Sequence, residues 1–133
     1  MVTGVDASVV FALYKGEASA EAWLEILRQQ RELGRLLICD VALAEASAAF
    51  DGKGETLAFF QDLGVNFDPV LPDTAILAGA LFKDYRRRGG LREHLIPDFL
   101  IGAHALRQCD QLAAADRGYL RRYFPRLKVI SPR

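Results

Sequence analysis

Short apolar runs alternate along the chain with longer stretches whose apolar residues recur at helical spacing, the order expected of an α/β domain with a mainly parallel sheet. Val2–Val5 reads as the first strand, ending at Asp6, and Ser8–Lys15 as a short helix closed by Gly16. A second helix over Ala18–Leu33 sets Ala20, Trp23, Leu24 and Leu27 on one side and stops at Gly34. Leu36–Cys39 is the second strand. Asp40 is placed to N-cap a helix through Val41–Phe50, Asp51-Gly52 turns the chain, and Glu55–Leu63 is again helical.

Val65–Val70 reads as a third strand. Pro72-Asp73 then opens a helix carrying Ile76, Leu77, Ala80 and Leu81, which gives way to Arg86-Arg87-Arg88 and Gly89-Gly90, a segment expected to be mobile. Pro97-Asp98 opens a further helix to about Gln108, Leu112–Ala114 forms a fourth strand, Gly118–Tyr123 a helical turn and Leu127–Ile130 the last strand. Right-handed crossovers between such strands predict one domain over residues 1–133, with helices on both faces of the sheet and ligands at the carboxyl ends of the strands.

At 133 residues, 51% of them hydrophobic, the chain is long enough to bury one proper core. Cys39 and Cys109 stand in no C-x-x-C spacing and no secretory leader precedes them, so both read as buried or idle thiols of a cytoplasmic protein. No apolar stretch approaches the roughly 20 residues that cross a bilayer. Net charge is zero, yet residues 1–66 carry five Lys/Arg against ten Asp/Glu and residues 67–133 twelve against seven. The basic half holds Arg86-Arg87-Arg88 and the group Arg117, Arg121, Arg122, Arg126, Lys128. Either group could serve as a solvated helix face or as a phosphate contact.

The acids follow the strand ends. Asp6 ends the first strand, Asp116 lies just beyond the fourth, Asp98 begins the helix leading into the fourth, and Glu45 sits one turn into the helix after the second. Convergence of four carboxylates is costly without a counter-charge, because like charges within a few ångströms force one or more to stay protonated. A divalent cation removes the conflict. Mg²⁺ and Mn²⁺ take oxygen ligands and retain waters, and no His/Cys cluster speaks for zinc. Such ions can ionise a water for in-line attack on a phosphodiester. Each acid also has a structural reading: Asp98 as a helix cap like Asp73, Asp6 and Asp116 as turn residues, Glu45 as a solvated helix residue.

Four segments together resemble the PIN-domain ribonucleases, in particular the VapC-like toxins of toxin–antitoxin pairs. They are Val5-Asp6-Ala7-Ser8-Val9-Val10, Ala44-Glu45, Ile96-Pro97-Asp98-Phe99-Leu100-Ile101-Gly102-Ala103-His104-Ala105, and Ala115-Asp116-Arg117-Gly118-Tyr119 with Tyr123-Phe124-Pro125. The segment around Asp98 is the most specific. The resemblance implies a three-layer α/β/α domain, an endoribonuclease dependent on Mg²⁺ or Mn²⁺, and inhibition by a cognate antitoxin. It also implies Asp6, Glu45, Asp98 and Asp116 as the acidic metal-binding set, with Ser8 orienting water at the metal. One departure stands out: where the family commonly has Thr or Ser two residues before the last acid, this chain has Ala114. Loss of that hydroxyl is expected to weaken metal affinity or activity by about 10–100-fold.

His104 lies six residues past Asp98 on a largely apolar helix, off the i+3 and i+4 positions, and is assigned to packing rather than to catalysis. Arg86, Arg87, Arg88 and Arg117 are the candidates to hold RNA or the antitoxin. The apolar positions of Ala18–Leu33 and Ile76–Phe82 point to a homodimer. Two rivals remain: a PIN-like binding module whose acids hold metal too weakly for turnover, and a phospho-acceptor receiver domain. The second needs an acceptor Asp ending the third strand and a Lys after the fifth, whereas Asp68 is followed by Pro69 and Lys128 falls inside the last strand.

Overall fold

The computed structural model describes residues 1–90, 96–115 and 118–132. Five strands, β1 (Val2–Val5), β2 (Arg35–Ile38), β3 (Val65–Phe67), β4 (Gln111–Ala113) and β5 (Lys128–Ile130), form one sheet in the order β3-β2-β1-β4-β5. Every pairing is parallel. The chain steps outward from β1 to β3, then returns to the other side of β1 to lay down β4 and β5. The strand order therefore reverses between β1 and β4, the place where parallel α/β sheets open a crevice at their carboxyl edge. Burial follows position in the sheet: β4 is buried throughout, while at the edges β3 is exposed after Val65 and β5 is at most half-buried.

The connections are α1 (Ala7–Tyr14) and α2 (Ala20–Leu33), α3 (Asp40–Ser47) and α4 (Lys53–Leu63), α5 (Pro72–Arg87) and α6 (Ile96–Gln108), and α7 (Gly118–Tyr123). α1 packs on α2 and α3, whereas α6 packs on α5 and against β1 and β4. Together with the sheet this is the expected three-layer α/β/α arrangement. α6 is the most enclosed helix, with Phe99, Ile101, Gly102, Ala103, His104 and Ala105 all buried. Its small residues explain how: Gly4 on β1 lies so near that a Cβ there would stand 3.3 Å from Cys109 Sγ and 3.6 Å from the Ala105 methyl. Phe99 anchors the outer side through rings of Phe82, Tyr85, Tyr123 and Phe124 at centroid distances of 5.4, 5.3, 5.8 and 6.1 Å.

Several sequence expectations are corrected. Asp40 is not an N-cap: Cys39 holds that position without a side-chain bond, and Asp40 Oδ1 instead accepts the Val70 N–H at 3.1 Å. β3 ends at Phe67: the Asp68 N–H still continues the ladder to the Ile38 carbonyl, but by Val70 the chain has turned away and the N–H bonds Asp40. α5 faces inward through Thr74, Ala78 and Tyr85, while Ile76, among the apolar positions of Ile76–Phe82 expected to lie partly uncovered, is 70% exposed. The same helix continues through Arg86 and Arg87 rather than dissolving there. Gly34 ends α2 in an extended conformation, φ 171°, and is needed because a Cβ would collide with the Met1 carbonyl, not for a left-handed turn.

Gly102 provides a test of the packing around α6. A Cβ there would meet the buried Phe124 ring at 2.6 Å, an overpacking cost of about 1–3 kcal/mol that outweighs the ~1 kcal/mol helix-propensity gain of Gly→Ala. Gly79 on exposed α5 has nothing within 4 Å. In urea denaturation, Gly102→Ala should therefore lower stability while Gly79→Ala raises it by about 0.5–1 kcal/mol. Stabilisation by both substitutions would contradict the close approach.

Candidate active site at the carboxyl edge of the sheet

Asp6 leaves β1 at the switch point. Its N–H continues the β1–β4 ladder to the Ala113 carbonyl at 3.0 Å, while its side chain turns to cap α1 by accepting the Ser8 N–H at 3.1 Å. The Ser8 hydroxyl donates to the same carboxylate oxygen, Oδ2, at 2.5 Å. The residue is only 5% exposed. An aspartate held this way is oriented by two donors from the start of the following helix, so its position is set by the fold rather than by rotamer choice.

Asp98 lies in the first turn of α6 and is partly buried. Glu45 lies in the second turn of α3, exposed, on a helix that touches both α1 and α6. Three of the four predicted acids thus come from α3, the start of α6 and the end of β1. Asp116 and Arg117 lie outside the described residues, as does the stretch 91–95 that follows Gly90. Among the described residues, no three His, Cys, Asp or Glu side chains are grouped closely enough to hold a metal ion.

The arginines sort by surroundings. Arg86 stacks over Phe82, 5.9 Å from its ring centroid, Arg88 is paired with Asp84 at 3.2 Å one turn earlier, and both, like Arg87, are exposed at the end of α5. That helix ends beside the start of the α6 connection, so the positive charge is carried on an ordered helical turn.

One polar group was not read from the sequence as a unit. His104 is 2% exposed and its Nε2 lies 2.8 Å from Asp68 Oδ2, which also accepts the Gln108 amide at 2.9 Å. Gln108 in turn bonds the Pro69 carbonyl and the Leu71 N–H. These bonds pin the β3–α5 connection to α6, in keeping with a packing role for His104. The sequence signal was a polar His within an apolar helix, since Asp68 lies 36 residues away.

Both cysteines are free. Burial pushes the Cys39 thiol up to about 11 and the Cys109 thiol up to about 12. Burial thus disfavours the thiolate, the form in which a thiol is nucleophilic, at both positions.

Residues 4–125 match the PIN domain, and the chain belongs to the PIN-domain family. Among solved structures, it is similar to a chain of VapBC-1 from nontypeable Haemophilus influenzae, with a TM-score of 0.71 at 15% identity over 98% of this chain and 97% of that one. A chain of VapBC2 from Rickettsia felis, bound to a DNA fragment from its promoter, matches with a TM-score of 0.68 at 17% identity over 98% of both. VapC20 from Mycobacterium tuberculosis, a sarcin-ricin loop cleaving toxin, matches with a TM-score of 0.62 at 17% identity over 90% of this chain and 93% of that one. At these identities the likeness is one of fold. No curated protein matched the chain.

The raised thiols make a stability prediction. Folding favours the protonated thiol, so this contribution is fully present below the unfolded pKa near 9 and is lost as pH rises toward 11 and 12. Chemical denaturation between pH 8 and 11 should show stability falling above pH 9, with a shallower fall in Cys39→Ala/Cys109→Ala. An identical slope in the two proteins would mean that the thiols ionise as freely folded as unfolded.

Proposed function

We propose that this protein is a metal-dependent endoribonuclease, the toxin of a toxin–antitoxin pair, which hydrolyses RNA phosphodiesters at a site formed by Asp6, Glu45, Asp98 and Asp116. The observation that carries the reading is the placement of Asp6, held by two hydrogen bonds from Ser8, at the switch point of a PIN-family sheet. The fold neighbours from VapBC and FitAB assemblies support a cognate antitoxin as partner. VapC20 supports RNA as the substrate class.

The donor set fits Mg²⁺ or Mn²⁺. Only one or two carboxylates are required, because these ions keep several waters and share substrate phosphate oxygens, so a closed cage of three acids within the described residues is not a condition for binding. Asp6, Asp98 and Asp116 would hold the ion, with Glu45 at the α3 side. When bound, the ion supplies the Lewis acidity that ionises the attacking water and offsets charge on the scissile phosphate. The chain's own contributions are geometric and electrostatic. Ser8 fixes the Asp6 carboxylate, α6 presents Asp98 from a packed helix end, and Arg86, Arg87, Arg88 and Arg117 supply positive charge for phosphate or for an acidic partner segment.

Ala114 favours a second reading, a catalytically weak RNA- or protein-binding PIN module, since no hydroxyl precedes the last acid at that position. Cleavage decides between them. With Mn²⁺ at a hundredfold excess over its dissociation constant, the wild type should gain about 2.7 kcal/mol of stability and cut an RNA panel. Asp98→Asn should lose most of that stabilisation and all cleavage. Asp40→Asn, at the neighbouring strand end but bonded to Val70, should keep both. Metal stabilisation without cleavage would favour the weak module; equal metal shifts in wild type and Asp98→Asn would overturn the shared site.

We also propose a homodimer. Leu24 and Leu33 on α2 and Ile76 on α5 are 42%, 65% and 70% exposed, apolar surface that a second copy would cover. Light scattering at tens of micromolar should report twice the chain mass; a monomer there would remove the dimer.

A further inference from the structure

Where β1 gives way to α1, the parallel ladder to β4 should break. Residue 6 donates its N–H to the Ala113 carbonyl, and in a continuing parallel ladder the Asp6 carbonyl would accept the N–H two residues on, at Ala115. That carbonyl has turned into α1 instead, where it accepts the Val9 N–H at 3.1 Å. Ala114 cannot help, since its N–H faces the other way and bonds Ile130 of β5. The Ser8 hydroxyl fills the gap: its oxygen accepts the Ala115 N–H at 3.3 Å while its proton goes to Asp6 Oδ2.

We propose that Ser8 is a positioning residue that splices the Asp6 turn to the end of β4, so that one hydroxyl both orients the Asp6 carboxylate and holds the backbone immediately before Asp116 in sequence. The inference rests on the metal-dependent reading above and deepens it. A local capping role would need only the bonds to Asp6. The bond to Ala115 spans 107 residues and has no use in capping.

The two roles part in what their loss would do. Ala115 is exposed, so water can satisfy its N–H, and the Ser8 N–H still caps through Asp6 without the hydroxyl. Removing the hydroxyl should therefore leave the fold nearly as stable while loosening the relation between the two strand ends.

The test compares wild type, Ser8→Ala, Ser8→Thr and Asp98→Asn. Amide hydrogen exchange at Ala115 is followed by NMR in chelator, and Mn²⁺ affinity by calorimetry. Ser8→Ala should speed Ala115 exchange about tenfold and weaken Mn²⁺ binding by about 10–100-fold, with little change in melting temperature, and Ser8→Thr should restore both. If Ser8→Ala binds Mn²⁺ like wild type while Asp98→Asn does not, the splice is wrong and the metal site stands. If wild type binds no Mn²⁺, the parent reading fails, and the exchange data still judge the splice. An unprotected Ala115 amide in wild type overturns it whether or not any variant folds.

Discussion

How closely α6 can lie against β1 and β4 is the constraint on which the carboxyl edge depends. Gly4 on the strand and Ala105 on the helix keep the side-chain bulk between the two small. The Phe124 ring then seats against Gly102 from the far side, and Phe99 is locked among Phe82, Tyr85 and Tyr123. A helix gripped this way cannot slide or rotate without opening a void or a clash in a close-packed interior. Asp98 occupies its first turn, so the same packing that makes the core sets the height and direction from which that acid is offered.

A second fixed point is the Asp6 turn. β1 is the central strand, paired on both sides, and its last residue is bound into the ladder by Ala113 and into α1 through Val9 and Ser8. The buried carboxylate is thereby part of the backbone framework rather than a side chain hung from it. The Asp68, His104 and Gln108 bonds complete the frame by tying the β3–α5 connection to the rear half of α6.

The order of elements was legible in the sequence because the apolar periods are clean and because Gly, Pro and Asp punctuate them. Asp6 and Asp98 could be placed from strand and helix ends, and Ser8 through the family resemblance. What failed did so where a tertiary partner outbid a local rule. Asp40 has the chemistry of an N-cap, yet the Val70 N–H, 30 residues away, takes its oxygen. The Ser8 link to Ala115 was invisible for the same reason: nothing near Ser8 in the chain announces which strand end will pass its hydroxyl.

The central claim is that Asp6, Glu45, Asp98 and Asp116 share one divalent cation. A crystal grown with Mn²⁺ and measured for anomalous scattering tests it most directly. The account predicts a strong peak within coordinating distance, about 2.0–2.2 Å as for similar hard ions, of carboxylate oxygens from Asp6 and at least one of Asp98 and Asp116. A peak elsewhere, or none beside Asp6 at saturating Mn²⁺, would contradict it.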